Sequence, residues 1–542
     1  MTMTARFRAL ALTTLAAFAL AACSDDEDGP TTPPTPTNGS LAVTISGLPT
    51  GTTGTVTVTG PSNFTQTLTA TQTLSVAPGS YSVSAAQVTS GTTRYNATIT
   101  GSPATVTSNA TANVTVAYAV AQNPTVVLSG SISANRTLTP DTNYVLRGFV
   151  YVNSGATLTI NAGTRIVGDT TALGSALFVL RGARSQANGT AEGSNGSVVG
   201  ADPNGIVYTG GTVDNDNSGT LRYVRVEFAG YATLTDAELN SYTFAAVGSG
   251  TTVEYVQALA GLDDNFEWFG GTVNGKYLVS YESGDDHFDG SEGYRGLNQF
   301  MIGLQSTYLT PRPGAGAVSS DPQGFEIDGC NGGGCVAPSG ANAQSAGRDE
   351  GLWNMNVFAN FTLIGPASGV TVPGSGGVGA VLRRGTGGYY LNGVIARWGR
   401  GGISLRDSTT NNRFQVDSLI VRNLYFAENG GLVNGSNFDA AGSNFGQETA
   451  FTARNSNIVV GASTVTASSL FTALPATPTN GASLDWSPAA NSPIGTGGLA
   501  SFSNDPRIAA RVGTFITPTA YRGAAAPGGT KWWEGWTNYA RN

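Results

Sequence analysis

A direct repeat of 22 residues between Thr252 and Arg295 constrains the fold of this chain more than any other feature. Each copy has a tyrosine between a charged and an apolar residue, followed by two aspartates, a phenylalanine and a further acid. The matched positions are Tyr255 with Tyr277, Asp263 with Asp285, Asp264 with Asp286, Phe266 with Phe288, Glu267 with Asp289 and Gly271 with Gly293. A period in the twenties is typical of solenoids, in which one coil cannot bury its apolar side alone.

The residue types in the repeat favour strands. They are β-branched and aromatic, with Gly and Asn at the corners and without helical spacing. The repeat therefore predicts an all-β chain built on a right-handed parallel β-helix. Equivalent positions of neighbouring coils lie about 4.8 Å apart, so we expect Phe266 to stack on Phe288 inside the coil. We expect Gly324-Phe325-Glu326 to continue the ladder after an inserted loop.

The same register stacks acids on acids. The residues concerned are Asp263, Asp264, Glu267, Asp285, Asp286 and Asp289. Like charges at that spacing repel unless a cation, protons or hydrogen-bond donors neutralise them. One interpretation is a calcium site, because calcium takes six to eight oxygen ligands. The other is that the aspartates cap the coil corners by accepting backbone N–H groups. Both interpretations stay open at this point.

Composition limits the chemistry. The chain has 542 residues and a net charge of −8, which gives no general attraction to nucleic acid. His287 is the only histidine, so histidine-rich zinc sites are excluded.

The N-terminus predicts export and anchoring. Residues 1–22 combine arginines with a short apolar run, as in a signal peptide. Leu20-Ala21-Ala22-Cys23 resembles a bacterial lipobox, which implies that Cys23 is lipidated and that the membrane is a partner through the lipid. The acids of residues 24–28 resemble the surface-export tag of some bacterial lipoproteins. We therefore expect an outer-membrane lipoprotein that faces the cell exterior, with residues 23–40 as a Pro/Thr-rich tether.

Residues 41–120 form a separate region of alternating apolar and polar residues with Gly and Pro turns. This pattern predicts a small β-sandwich. The stretch from Val76 to Val83 resembles a hairpin of PEGA-like or carboxypeptidase-regulatory-like modules, which serve as spacers.

Residues 121–542 are assigned to the β-helix with a C-terminal cap, and the coils begin near Thr125. The run from Tyr144 to Asp169, the run from Asp216 to Gly230, the acid repeat and the C-terminal run from Tyr521 to Tyr539 together resemble a group of uncharacterised bacterial outer-membrane and surface β-helix lipoproteins. The resemblance implies the fold and an envelope location, and no particular activity. The segment from Ala183 to Gly205 is shorter than the insertion that such proteins often carry there.

A second resemblance concerns the acids. Asp285-Asp286-His287-Phe288-Asp289 is similar to the calcium motif of certain β-helix pectate lyases, in which a further Asp comes from the preceding coil. Such enzymes also need a basic group to take a proton. The chain has no lysine between Lys276 and Lys531, so Arg295 or Lys276 would have to serve.

Two cysteines, five residues apart in an exported chain, favour a disulfide between Cys330 and Cys335 over a free thiol pair or a metal ligand. A group of arginines follows, with two interpretations: stems that cover apolar surface, or a basic patch for acidic glycans. These are Arg383, Arg384, Arg397, Arg400 and Arg406. Trp532, Trp533 and Trp536 predict a cap over the end of the coil or, alternatively, a sugar-stacking platform.

Three functions are compatible with these features. The favoured one is a surface-anchored structural or adhesion lipoprotein that presents a β-helix rod without catalysis, with a polysaccharide or a cell-surface molecule as its partner. The alternatives are binding of acidic polysaccharide, or a calcium-dependent lyase or hydrolase that uses the aspartate-rich coils.

Overall fold

The computed structural model describes residues 37–91, 93–171, 173–180, 189–190, 192–194, 198–201, 205–208, 212–234, 237–329, 353–367, 369–371, 373–430, 438 and 448–540. The chain divides into two compact units, residues 1–122 and residues 123–542. The signal peptide, Cys23, Cys330 and Cys335 lie outside the described residues, so their predicted roles stay predictions.

Two sheets that share one apolar core form the first unit. The first sheet contains Gly39–Ser46, Gln72–Val76, Val88–Ser90, Thr93–Thr100 and Thr111–Val120. The second contains Val56–Gly60, Phe64–Leu68, Gly79–Ala85 and Ala104–Val106, with the short helix Pro61–Asn63 between its first two strands. In strands such as Val56–Gly60 and Gly79–Ala85, buried residues alternate with more exposed ones, because successive side chains point to opposite faces of a strand.

The hairpin predicted between Val76 and Val83 is wrong. Gln72–Val76 pairs with Gly39–Ser46, whereas Gly79–Ala85 pairs with Val56–Gly60 in the other sheet. The turn between them is a corner that carries the chain from one sheet to the other. The Tyr81 hydroxyl donates to the Ala77 carbonyl at 2.9 Å across this corner.

The second unit begins with parallel strand pairs. Thr125–Ile132 pairs with Asn143–Val152, which pairs in turn with Arg165–Gly168 and Ala176–Val179. Arg136–Leu138 pairs with Leu158–Ile160. Two short antiparallel pairs follow, Gly189–Thr190 with Val207–Tyr208 and Ala232–Leu234 with Ala237–Glu238.

The main coils carry two long parallel sheets, as the repeat predicts. The bent sheet contains Thr220–Glu227, Thr252–Leu259, Asn274–Tyr281, Leu297–Leu304, Val357–Ile364, Gly388–Leu391, Val394–Ala396, Leu419–Arg422, Tyr425–Ala427 and Val459–Val460. The short sheet contains Tyr242–Ala245, Phe266–Phe269, Phe288–Ser291, Phe325–Asp328, Ala380–Arg383 and Ser404–Leu405. Their stacking confirms a parallel β-helix.

The first four strands of the bent sheet each turn a corner. Tyr223, Tyr255, Tyr277 and Phe300 occupy this corner with φ of 55°, 55°, 61° and 63°. Such left-handed backbone is rare outside glycine. Neighbouring rings of this ladder stack with centroids 4.6, 4.4 and 5.2 Å apart. The bend in these strands therefore coincides with a stack of aromatic rings on the outer surface of the coil.

Aromatic rings from both sheets fill the interior. Phe266 stacks on Phe288 with ring centroids 5.3 Å apart, which confirms the predicted ladder. Phe288 and Asp289 pair with Phe325 and Glu326 of the next coil, so the ladder continues after the inserted loop, as predicted.

Apolar residues also cover the outer side of the bent sheet. One outer cluster includes Val279, Tyr281 and Leu304 of the sheet, together with Trp486 and Trp533 of the C-terminal segment. A second includes Val357 and Tyr389 with Ile508 and Val512. Middle strands of the bent sheet such as Val357–Ile364 are therefore buried on both sides, which explains why they are almost wholly apolar. The C-terminal segment contributes Ala467–Leu470, Phe471–Ala473, Gly481–Ser483, Asp485–Pro488, Pro493–Gly495 and Pro506–Val512.

The C-terminal tryptophans lie along the side of the coil. Trp536 contacts the rings of Tyr223 and Tyr255 edge-on at 5.9 Å, and Trp532 lies 5.2 Å from Tyr277. Trp533 is buried in the outer cluster. The cap predicted from these residues is therefore a lateral cover, because the outer side of the bent sheet is itself apolar.

Other residues close the interior at its C-terminal end. Phe414 of the helix Ser408–Gln415 and Phe451 of the helix Glu448–Ala453 join the interior core with Phe438. Their rings lie 4.9 Å and 5.6 Å apart along this series. Within the described residues, the structure has no helix that is both long and apolar enough to cross a membrane.

Candidate metal centre

The paired aspartates of the repeat occupy the turns that lead into two strands of the short sheet, Phe266–Phe269 and Phe288–Ser291. At the turn, one side-chain oxygen of each coil accepts a backbone N–H of the next coil. Asn240 Oδ1 accepts from Asp264 at 3.1 Å, Asp264 Oδ1 from Asp286 at 2.8 Å, Asp286 Oδ1 from Gln323 at 2.5 Å and Gln323 Oε1 from Val378 at 2.8 Å. The capping interpretation is therefore correct for one oxygen each of Asp264 and Asp286.

Capping does not explain why these residues are charged. Asn240 and Gln323 make the same bond with neutral amides at the flanking coils. Asp264 and Asp286 thus bring a negative charge that the bond does not require. Both are buried, at 5% and 1% exposed, where an unneutralised charge is costly.

The strands of the short sheet add three more acids. Phe266, Phe288 and Phe325 point into the core, so the next residue of each strand points outward. Glu267, Asp289 and Glu326 therefore form an outward column, and they pair directly in the strand register. Asn240 donates to Glu267 through its side-chain amide.

The carboxylates converge in three overlapping groups. Ligand atoms lie within 4.8 Å of one another in Glu192–Glu238–Asp263, in Asp263–Asp264–Asp285 and in Asp264–Asp286–Asp289. We call these residues, together with Glu267 and Glu326, the acid cluster. The three groups contain five of the six acids predicted from the repeat, and the sixth, Glu267, lies beside Asp289 in the strand register. Sequence analysis missed Glu192 and Glu238, because both come from segments outside the repeat.

Three oxygens of the acid cluster lack a hydrogen-bond partner among the described residues. These are Asp285 Oδ1, Asp289 Oδ1 and Glu326 Oε1, all buried from solvent. A buried polar atom without a partner costs about 1–3 kcal/mol, and more when it is charged. Carboxylate oxygens in this number match the ligand set that hard cations such as calcium prefer. The residues therefore fit a divalent cation.

Burial and mutual repulsion raise the pKa values across the acid cluster. Burial raises the pKa of Asp264 and Asp286 well above the usual range, and Asp263 and Asp285 add repulsion. The same causes act on Asp263, Glu267 and Asp289. Burial raises the pKa of Asp285 to about 6, of Glu192 to about 7 and of Glu326 to about 8. Protonation reduces the repulsion between the carboxylates of the acid cluster, and a bound cation would reduce the same repulsion.

Two of the candidate glycan-binding arginines form ion pairs with acids, and their contact with a glycan stays a prediction. Arg383 forms ion pairs with Glu326 and with Asp328, the latter at 2.6 Å, and lies 3.9 Å from Asp321. Arg384 pairs with Asp328 and donates its backbone N–H to Asp407 at 2.5 Å. These two guanidinium groups are counter-ions at the edge of the acid cluster.

The other three arginines lie in the later coils. Arg397 is buried, has φ of 68° at a corner, and donates from Nε to the Gly365 carbonyl at 2.8 Å. The Arg400 backbone N–H donates to Gly377, and Arg406 Nε donates to Ser404 Oγ at 3.0 Å. Their contact with a glycan stays a prediction.

His287 belongs to the core. It is fully buried, its Nδ1 lies 2.5 Å from Ser280 Oγ, and its ring meets Trp398 edge-on at 6.2 Å. Burial lowers the pKa of His287 to about 3. The ring is therefore neutral at physiological pH and packs inside the coil, away from the outward acids.

The bases suggested for a lyase reaction lie elsewhere. Lys276 is on the bent sheet, where its ammonium sits 4.7 Å from the Phe515 ring centroid. Arg295 follows the far end of the strand Phe288–Ser291, whereas the acid turn precedes that strand. Neither position lies beside the turn that holds Asp285 and Asp286.

The family model described as "Pectate-lyase like beta helix domain" matches residues 130–199 and 193–472. These stretches cover more than half of the chain and include the whole of the acid cluster. The chain belongs to this pectate-lyase-like β-helix family. The match agrees with the parallel strand stacking and with the resemblance to β-helix proteins. It names a fold and leaves the activity of this pectate-lyase-like β-helix open.

No curated protein matches the chain. Among solved structures, the chain is similar to the catalytic domain of a GH87 alpha-1,3-glucanase variant in complex with tetrasaccharides. The identity is 12%, the TM-score is 0.26, and the match covers 77% of this chain and 87% of that one. At that TM-score the likeness carries no argument about the site of this pectate-lyase-like β-helix.

Proposed function

We propose that this chain is a surface-anchored structural or adhesion lipoprotein whose β-helix is held together by calcium at the acid cluster. The observation that carries the proposal is the set of buried carboxylate oxygens without partners: Asp285 Oδ1, Asp289 Oδ1 and Glu326 Oε1. They come from two adjacent coils of the short sheet. A cation bound there would cross-link successive coils, and binding to the folded state alone stabilises it.

The chemistry around the acids supports a structural role over catalysis. Two described cations at the edge of the acid cluster, Arg383 and Arg384, are already paired with Glu326 and Asp328. Arginine does not give up its proton in proteins, so neither residue can act as a general base. Lys276 lies on the other sheet. The reaction expected of a lyase therefore has no base beside the acids in the described part of the chain.

Thermal melting with and without calcium tests the proposal. In the full-length protein, the melting temperature should rise with added calcium and fall with chelator. Asp286→Asn should abolish the response, because the amide oxygen keeps the Gln323 cap but loses the charge. Glu448→Gln, an exposed acid on a distant helix, is the matched control. The proposal would be contradicted if the melting temperature is the same in calcium and in chelator and the protein binds no metal.

The anchor needs a separate test. Lipidation at Cys23 is inferred from Leu20-Ala21-Ala22-Cys23 after a short apolar run. The variant Cys23→Ala should move the protein from the membrane fraction to the soluble fraction. Protease treatment of whole cells should digest the anchored protein if it faces the exterior. If the C23A variant stays in the membrane fraction and is still acylated, lipidation at Cys23 is contradicted.

Binding of acidic polysaccharide through the cation is the second candidate. It is favoured because Asp263, Asp285 and Asp289 keep part of their surface exposed, whereas Asp264, Glu267 and Asp286 are buried. A cation held between them would have an outward side for a uronate carboxylate. Incubation with uronate polysaccharides distinguishes the functions: calcium-dependent retention indicates binding, and unsaturated products or new reducing ends indicate an enzyme.

A further inference from the structure

The corner ladder of the bent sheet changes from aromatic residues to asparagines in the later coils. In the register of the strands, the position of Phe300 is taken by Asn360, then by Asn392 and then by Asn423. Their φ angles are 51°, 55° and 60°, so the left-handed backbone continues. Residues 497–539, which we call the C-terminal strap, follow this ladder along its whole length.

The strap runs back along the coils. Its first contact is with the last asparagine, because Asn423 Nδ2 donates to the Gly497 carbonyl at 2.9 Å. Asn392 Oδ1 then accepts the Leu499 N–H at 2.6 Å. Further along, the strap meets Asn360 through Thr519, Tyr277 through Trp532, and Tyr255 and Tyr223 through Trp536. The order of the strap is therefore opposite to the order of the coils.

Two glutamines on the outer face of the bent sheet bind the strap through its backbone. Gln257 donates to the Asn538 carbonyl at 2.5 Å and accepts the Asn538 N–H at 2.7 Å. Gln299 forms the same pair of bonds with Thr517, at 2.6 and 2.9 Å. Both glutamines are 0% exposed, and buried amides need such partners. The strap supplies them.

The strap takes no part in the sheets. Within residues 497–539, all of which are described, the structure has the helix Pro506–Val512 and no strand. The parallel pairing of the coils therefore does not include the strap. Its contacts nevertheless join strands that lie far apart in the bent sheet, since Tyr223 is in Thr220–Glu227 and Asn423 follows Leu419–Arg422.

We propose that the C-terminal strap makes the main coils open as one unit. In a solenoid each repeat contacts only its neighbours, so distant coils can unfold separately. The strap adds direct contacts to coils at both ends of the ladder. When coils at one end open, the strap loses part of its binding surface, and its release uncovers the apolar outer clusters of the other coils. A rod built in this way resists unwinding from its ends, whether or not it binds calcium.

Native-state hydrogen exchange of the full-length protein in rising urea tests this proposal. Chelator is present throughout, so that a cation at the acid cluster does not contribute. In the natural protein, amides of Thr252–Leu259 and Leu419–Arg422 should begin to exchange at the same urea concentration. The double variant Gln257→Met/Gln299→Met removes both glutamine pairs and keeps side chains of similar length. In this variant, amides of Thr252–Leu259 should exchange at lower urea than those of Leu419–Arg422.

Leu382→Ala is the control. Leu382 is buried in the interior core, which contains no residue of the strap. This variant should open at lower urea with its coils still exchanging together. Stepwise exchange of the coils in the natural protein would overturn the proposal, and so would joint exchange in the double variant. If circular dichroism shows that the double variant does not fold, the single variant Gln257→Met takes its place with the same expectation.

Discussion

Asp264 accepts the backbone N–H of Asp286, one coil further along, through its Oδ1 at 2.8 Å. Asp264 also forms a group with Asp286 and Asp289, in which one carboxylate oxygen of each residue lies within 4.8 Å of the others. One side chain thus contributes both to the backbone ladder of the coils and to a group of like charges. The two roles can be separated by substitution, because the first needs an oxygen and the second needs a charge.

The substitutions Asp264→Asn and Asp264→Ala should therefore differ in chelator. Asparagine keeps an oxygen for the Asp286 N–H and removes one repelling charge, so we expect a melting temperature at or above that of the natural protein. Alanine leaves a buried N–H unpaired, which costs about 1–3 kcal/mol. Urea unfolding in chelator measures the difference. Equal destabilisation by both substitutions would contradict the separation of the two roles.

Stability of the metal-free protein should fall as pH rises. Burial raises the pKa of Asp285 to about 6 and of Glu326 to about 8, against about 3.9 and 4.3 in unfolded chains. The folded state thus holds these protons more tightly, and their stabilising effect is complete below about pH 4 and is lost as pH passes 6 and then 8.

Calcium should remove most of this pH dependence, since the cation replaces the protons. Chemical unfolding between pH 4 and pH 8, with calcium and with chelator, measures both slopes. A stability in chelator that rises over this interval would show that other groups outweigh the acid cluster.

Titration of the single histidine, His287, tests whether its ring is buried in the core. Burial lowers the pKa of His287 to about 3, so its ring should stay neutral from pH 8 down to pH 5. The ring proton signals of the folded protein should not move over this interval in nuclear magnetic resonance spectra. The same signals in urea should titrate near 6.5. A midpoint near 6.5 in the folded protein would place His287 outside the core.

The repeat predicted the coils because spacing alone fixes their register. Once Tyr255 aligns with Tyr277, the pairs Phe266–Phe288 and Glu267–Asp289 follow, and the structure has both. The clustering of the repeat's aspartates followed for the same reason. The period of the repeat therefore predicts the positions of those site residues that the repeat contains.

The other residues of the site lie outside the repeat, so their contacts cannot be predicted from its period. Glu192 and Glu238 reach Asp263 from separate segments, and Arg383 reaches Glu326 across a long insertion. The lateral cover was missed for another reason. Residues such as Val279 and Tyr281 face outward, yet in the sequence they cannot be told from residues that face the interior. The sequence also does not indicate which later segment covers them.

Removal of Arg383 should be far more damaging than removal of Arg384. The Arg383 guanidinium pairs with both Glu326 and Asp328 and is 24% exposed. Its loss leaves buried charges uncompensated, so we expect Arg383→Met to cost roughly 3 kcal/mol in chelator. Arg384 is 40% exposed, and Arg384→Met should cost about 1 kcal/mol or less.

Urea unfolding of the two arginine variants checks this prediction. Calcium should restore part of the stability of Arg383→Met, because a cation can take the place of the lost counter-ion. Equal, small effects of both variants would instead mean that Arg383 is a surface residue available to a ligand such as an acidic glycan.

Tyr539 ties the C-terminal segment to the coils through a buried acid. Its hydroxyl donates to Glu282 Oε1 at 2.5 Å and lies 2.9 Å from Ser306 Oγ. Glu282 is 1% exposed and also accepts the Ser306 and Thr307 backbone N–H groups at 2.9 and 3.1 Å. This network holds the lateral cover on the outer side of the bent sheet.

Tyr539→Phe should loosen that cover. The substitution keeps the ring and removes one donor to a buried carboxylate, which costs about 1.5–3 kcal/mol for a bond to a charged group. Tyr95→Phe is the control, since Tyr95 lies in the first unit, on the strand Thr93–Thr100. Hydrogen exchange should show faster exchange in the segment from Ala524 to Tyr539 for Y539F alone. Unchanged exchange there, with unchanged unfolding in urea, would mean that apolar contacts of Trp533 suffice to hold the cover.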